Sequence, residues 1–289
     1  MRELLKKLGL VRDGRESDAL AANRQEDTGD STAGVKVAFL HINKTGGSTF
    51  RRILQSIFEQ QFHYCEDPAI ASVETALAKF ACVEFHTLSY ATNWALAHQE
   101  LVSLRRWDLL EGRHNFTMLR DPVDQFLSLY YHLIKIRERV EPALKAQGLP
   151  FPDSIEMMLG HPACFNDQLA YLVGKRRDRE SWVTRDDLEL AKEMLLRLKM
   201  HVGLMEQFSD SMHVFEAVTG LKIPAATIVC ENRNPNRPPL EMMPVDVLER
   251  IREGNALEYE LYEFGRELLA QDLARFGLAP AYSVVDAAV

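Results

Sequence analysis

Apolar residues follow two rhythms along this chain, and their alternation predicts its elements. Val37-Ala38-Phe39-Leu40-His41-Ile42 is mostly apolar and rich in strand formers, the pattern of a buried strand. Gly46-Gly47 breaks the run. Phe50, Ile53, Leu54, Ile57 and Phe58 then recur at helical spacing, so a helix follows, with Ser48 or Thr49 placed to cap it. The alternation continues with a short strand at Phe62-His63-Tyr64, a helix around Ile70 to Phe80 and a strand over Ala81 to His86. Period two in that strand puts Glu84 and His86 on one side and Val83 and Phe85 on the other. Asn115 to Leu119 is a further strand, ending in Arg120-Asp121-Pro122. Proline suits the first helical position, and Phe126, Leu129, Tyr130 and Leu133 form the stripe of the helix it opens.

The second half reads mainly as helix. An apolar stripe runs from Phe165 to Val173, and Thr184 caps a helix from Arg185 to about Met200. His201 to Met205 is a short strand, followed by a helix from about Gln207 to Val218 that Gly220 ends. Ala226 to Cys230 is a last candidate strand, Glu231 to Pro239 a polar proline-rich loop, and helices near Val245–Arg252 and Leu257–Phe276 close the chain. Strands alternating with helices predict an α/β fold with a central parallel sheet flanked by helices. Met1 to Val11 can form a short amphipathic helix through Leu4, Leu5, Leu8 and Val11. A loose or docked terminal helix is the preferred reading of it, and contact with a membrane surface the rival. Arg12 to Gly34 is polar and reads as a disordered leader, so residues 1–34 stand apart from one domain over 35–289.

Composition narrows the partners. With 289 residues and a formal charge of −8, the chain can bury one large core, and its charge argues against a general nucleic-acid binder while leaving room for local basic runs. Cys65, Cys82, Cys164 and Cys230 lie far apart without metal-type spacing, which favours free thiols in a reducing compartment. No apolar run is long enough to span a bilayer, and Met1 to Arg12 is a poor secretory signal. The expected location is cytoplasmic.

Candidate chemistry sits at two strand ends. A strand that ends in glycines at a helix N-terminus presents backbone N–H groups and the positive end of the helix dipole, an anion site. Lys44 adds a mobile charge, and Thr45, Ser48 and Thr49 add hydroxyls around Gly46 and Gly47. The lysine precedes the glycines, so this is not the nucleoside-triphosphatase loop, and no G-x-G-x-x-G is present. Arg120 follows another strand. Ser128 lies in the second turn of the next helix, off its apolar stripe, where its hydroxyl can lean back toward Arg120. The two could clamp a second phosphate; a structural ion pair of Arg120 with Asp121 or Asp124 is the competing reading.

Phe39-Leu40-His41-Ile42-Asn43-Lys44-Thr45-Gly46-Gly47-Ser48 and Leu119-Arg120-Asp121-Pro122, with Ser128 eight residues after the arginine, resemble the paired motifs of sulfotransferases. The carbohydrate branch that includes the heparan sulfate 2-O- and 6-O-sulfotransferases and bacterial relatives is the nearest in pattern. Weaker similarity runs through Phe165–Leu172, Val202–Phe208 and Asn232–Pro238. The resemblance implies a fold related to nucleotide kinases and 3′-phosphoadenosine 5′-phosphosulfate (PAPS) as sulfuryl donor. It implies that Lys44 stabilises the bridging oxygen, that Thr45 to Thr49 surround the 5′-phosphate and that Arg120 and Ser128 hold the 3′-phosphate. It implies no metal, these groups filling the role magnesium has in kinases. For the base that takes the acceptor proton, His86 at its strand end is preferred over Glu84. The expected acceptor is a hydroxyl of a small glycan, a glycolipid or another hydroxylated metabolite. The Lys175–Arg179 run reads as a solvated basic loop and Arg233 as a weak hint of a phosphate contact. An ATP-dependent phosphotransferase and a non-catalytic nucleotide-binding protein are the alternatives.

Overall fold

A computed structural model describes residues 32, 34–64, 73–86, 101, 105–146, 151, 153–160, 164–175, 183–224, 227 and 237–280; for His86 it describes the backbone alone. Nearly all of the expected leader, the strand expected over Ala226–Cys230 apart from Thr227, most of the Glu231–Pro239 loop and the basic run beyond Lys175 lie outside those residues.

Five strands make up the sheet: β1 (Val37–His41), β2 (Phe62–Tyr64), β3 (Cys82–His86), β4 (His114–Leu119) and β5 (His201–Leu204). Their order is β2-β3-β1-β4-β5, and every pairing is parallel. The chain leaves β1 toward β2 and β3, then crosses back to β4 and β5. The carboxyl ends of β1 and β4 therefore flank the point where the winding reverses, the crevice in which open α/β sheets bind ligands. Lys44 follows one of those ends and Arg120 the other.

Side-chain alternation sorts the core into two layers. Val37 and Phe39 of β1, Cys82 of β3 and Phe116 and Met118 of β4 pack beneath α1 (Gly47–Phe58) and α8 (Phe208–Thr219). Ala38, Leu40, Val83, Phe85 and Leu119 face the other way, toward α2 (Val73–Lys79), α6 (Asp167–Leu172), α7 (Arg185–Arg197) and α10 (Ala256–Arg275). Burial on both faces explains why β1 reads as an unbroken apolar run. A third cluster joins α3 (Pro122–Lys135) to α5 (Ile155–Leu159) and α9 (Val245–Gly254). Between α3 and α5 lies α4 (Arg137–Ala146).

Helix ends follow local chemistry. Pro122 opens α3 behind Asp121, whose carboxylate accepts the Asp124 N–H at 3.1 Å. Thr184 and Asp187 form a full capping box on α7, and Gly220 ends α8 in the left-handed region. Neither Ser48 nor Thr49 caps α1, however. Gly46 is the N-cap, at φ 87°, and the Thr49 and Phe50 amides both bond its carbonyl at 3.1 and 3.4 Å. The left-handed turn starts the helix two residues earlier than a Ser48 cap would, so Ser48 and Thr49 fall within its first turn.

Candidate functional site

The turn from β1 to α1 is shaped by three residues. Thr45 is fully buried and donates its hydroxyl to the Ile42 carbonyl at 2.9 Å, closing the turn from inside. Its side-chain proton is therefore spent on the loop. Lys44 and Gly46 both take positive φ, 66° and 87°, which is costly for the lysine. Gly47 has no room for a side chain: a Cβ there would lie 2.1 Å from the His41 ring. The imidazole of His41 thus forms the floor under the start of α1. With the first intrahelical bonds made by Thr49 and Phe50, the amides of Gly47 and Ser48 stay outside the helix ladder. The hydroxyls of Ser48 and Thr49, both half-buried, have no partner among the described residues.

The Lys44 ammonium makes no ion pair among the described residues. Burial pushes it down to about 8, with the charges of Arg120 and Lys135 adding to the shift. A lysine held beside an arginine without an acid is a group short of an anion.

Arg120 sits one residue beyond β4. Its Nη1 donates to the Lys44 carbonyl at 3.3 Å, joining the two strand ends, and its Nη2 is 3.7 Å from Asp124. The ion pair weighed from the sequence is thus present, though long. The Nε–H is buried without a partner among the described residues, and such a buried guanidinium donor calls for an acceptor. Asp124 is shared with Arg237, which bonds its carboxylate and, at 3.4 Å, its carbonyl. Arg237 is thus a described residue of the Glu231–Pro239 segment that reaches this corner; Arg233 lies outside the described residues. Ser128 is half-buried on α3, and its hydroxyl has no partner among the described residues.

Polar residues that the sequence reading passed over hold this arrangement. Gln125 donates from Nε2 to the Asn43 carbonyl at 3.2 Å and to Asp167 at 2.8 Å, anchoring the lysine turn from α3. Glu206 accepts the Asp121 N–H at 3.0 Å and the Tyr262 hydroxyl at 2.9 Å. Gln168 on α6 bonds both backbone groups of Arg120, and Tyr171 on the same helix donates to the Phe85 carbonyl at 2.7 Å. One short helix thus touches Arg120 and the residue before His86. Their sequence signal was polar residues inside the apolar segments Phe165–Leu172 and Val202–Phe208.

His86 ends β3 in register with His41, so its backbone opens onto the same sheet edge as Lys44. Glu84 points toward α1. It is fully buried, accepts the Arg51 Nε–H at 2.8 Å on each oxygen, lies 2.7 Å through Oε1 from Arg51 Nη2 and meets Nδ1 of His41 at 2.5 Å. Burial holds His41 well below its usual value, Arg51 and Lys44 adding to the effect, so its ring is neutral. Both oxygens of Glu84 are committed to this packing.

A sequence model described as the sulfotransferase family matches residues 32–265. The chain belongs to that family and is an enzyme of sulfuryl transfer to a hydroxylated acceptor. The match spans both strand-end motifs and nearly all of the sheet and helices described above. Among curated proteins none matches significantly. No helix among the described residues is long and apolar enough to cross a membrane.

Proposed function

We propose that the protein transfers the sulfuryl group of PAPS to a hydroxyl of a small glycan or glycolipid. The observation that carries this reading is the junction of Lys44 and Arg120: two cations at adjoining strand ends where, among the described residues, one lacks an acid partner and the other keeps a buried donor unpaired. Such a pair suits a nucleotide with phosphates at both its 5′ and 3′ positions. The Gly47 and Ser48 amides, with the hydroxyls of Ser48 and Thr49, surround the 5′-phosphate, and the Thr45 amide completes the turn. Arg120 and Ser128 hold the 3′-phosphate.

Lys44 neutralises charge growing on the bridging oxygen as its bond to sulfur breaks. His86 accepts the acceptor's hydroxyl proton while the acceptor oxygen bonds to sulfur, and 3′,5′-ADP leaves in line. A chain of net charge −8 is poorly suited to a long polyanionic glycan, which favours a small or uncharged acceptor. Cys82, a buried free thiol, fits a cytoplasmic setting.

Thermal shift separates the donors. At about a hundred times its dissociation constant, 3′,5′-ADP should add roughly 2.7 kcal/mol of stability. A clear response to ATP with magnesium and none to 3′,5′-ADP would overturn the reading in favour of a phosphotransferase. Labelled PAPS offered to a panel of hydroxylated glycans and lipids then identifies the acceptor.

A further inference from the structure

The last rung of the sheet beside the site is built by a side chain. β4 pairs with β5 as far as Leu119, opposite Leu204, and with β1 only as far as Thr117. Arg120 therefore leaves the sheet with its own N–H and C=O unpaired by any strand. Gln168 takes both: its Oε1 accepts the Arg120 N–H at 2.9 Å, and its Nε2 donates to the Arg120 carbonyl at 2.9 Å. A primary amide carries a donor and an acceptor side by side and can copy a strand's pairing in this way.

An amide can also face the wrong way, and a second residue forbids it. The other Nε2 hydrogen of Gln168 goes to Oε1 of Glu258 at 2.8 Å, while Oε2 of Glu258 accepts the Gln168 amide at 2.7 Å and the Leu169 amide at 3.3 Å. Among the described residues Glu258 thus meets N–H donors at both oxygens. Turning the Gln168 amide over would set its oxygen against that carboxylate and against the Arg120 carbonyl, and its NH2 against the Arg120 N–H. All three contacts would turn repulsive. Gln168 and Glu258 are each 1% exposed, so water cannot relieve a misorientation. Glu258 is itself placed by α10, where its own amide donates to Asn166 at 3.0 Å.

We infer that Gln168, oriented by Glu258, is the positioning residue that fixes Arg120 to receive the 3′-phosphate. The inference rests on the assignment of Arg120 under the proposed function. Neither residue touches the nucleotide; both act through the arginine's backbone. Removing the amide leaves the guanidinium in the chain but frees the peptide that aims it, so the loss falls on the 3′-phosphate alone.

Calorimetric titration with 3′,5′-ADP and with 5′-AMP reads that loss directly. In the unaltered protein the 3′-phosphate should tighten binding, and the ratio of the two dissociation constants measures by how much. Gln168→Met keeps the length and removes both bonds. It should shrink that ratio by about tenfold while 5′-AMP binding stays within about twofold. Glu258→Gln, read in the same way, serves if the methionine variant does not fold. General loosening of the fold would weaken both nucleotides together, and a fall of that kind, or an unchanged ratio, overturns the positioning role. Equal binding of the two nucleotides by the unaltered protein would instead overturn the assignment of Arg120 itself.

Discussion

Arg120 donates through Nη1 to the carbonyl of Lys44, 3.3 Å away, and so ties the end of β4 to the turn that follows β1. That one long bond links the two cations of the site. Arg120→Lys keeps the charge but loses the planar fork that spans the Lys44 carbonyl, Asp124 and the unpaired Nε position. Steady-state kinetics should show the donor KM raised by about tenfold or more with kcat changed less than about threefold, the signature of lost uniform binding. A fall in kcat at unchanged KM would move Arg120 from binding into the chemical step.

Lys44 gives the enzyme a pH dependence of definite sign. Its ammonium is pushed down to about 8 by burial and by Arg120 and Lys135, and a bound anion pulls that value back up. Affinity for 3′,5′-ADP should therefore be full below pH 8 and fall as pH rises through 8. Near and above that pH, binding should take up a proton, which titration in buffers of differing ionisation enthalpy reveals. Lys44→Met should abolish the proton uptake. For the unliganded fold the sign is opposite. A lysine lowered from 10.5 to about 8 makes the folded state bind fewer protons than the unfolded chain, so this group adds stability as pH rises between those values.

Two neighbouring glycines are needed for different reasons, and substitution separates them. Gly47 is helical, and the three atoms nearest to an added Cβ all belong to the His41 ring, so Gly47→Ala should cost about 1–3 kcal/mol through overpacking. Gly46 holds φ 87°, and the atom a Cβ would meet is the Met205 sulfur, the mobile part of a flexible side chain. Gly46→Ala should therefore keep a backbone cost of about 1 kcal/mol even when Met205→Ala makes room. Denaturant unfolding of the single and double variants measures both.

Glu84 and His86 share a strand face but should fail in different ways. Glu84→Ala strips Arg51 and His41 of a fully buried partner and should cost roughly 3 kcal/mol of stability. His86→Ala should leave the melting temperature and 3′,5′-ADP binding near those of the parent while turnover falls by about a hundredfold or more. Retained turnover in the His86 variant would remove it as the base.

Most of the fold was legible because it is written in local signals. Pro122 behind Asp121, Thr184 ahead of Asp187 and Gly220 mark helix ends through contacts within a few residues, and apolar period places the strands between them. The cap of α1 was misread for a related reason. Ser48 and Thr49 have the right chemistry, but Gly46 takes the left-handed turn that sets the start, and residue type alone does not say which glycine of the Gly46-Gly47 pair takes it. The candidate site was legible in its ligand-facing residues, Lys44 and Arg120, whose charge and position after strands stand out. Its supports were not. Gln168 and Glu258 are 90 positions apart and meet only after the chain has folded back on itself. Glu84 likewise reads as a free carboxylate until α1 lays Arg51 across it.

That separation has a consequence for synthesis. Strands β1 to β4 and α1 all lie before residue 135, so both cations have been translated by then. The residue that orients Gln168 has not, because α10 is the last of the described helices. A nascent chain halted before Ala256 carries every proposed nucleotide contact and lacks the part that aims one of them. With Gln168 positioned as proposed, the full hold on a 3′-phosphate is acquired only when α10 docks, long after both strand-end motifs have been translated.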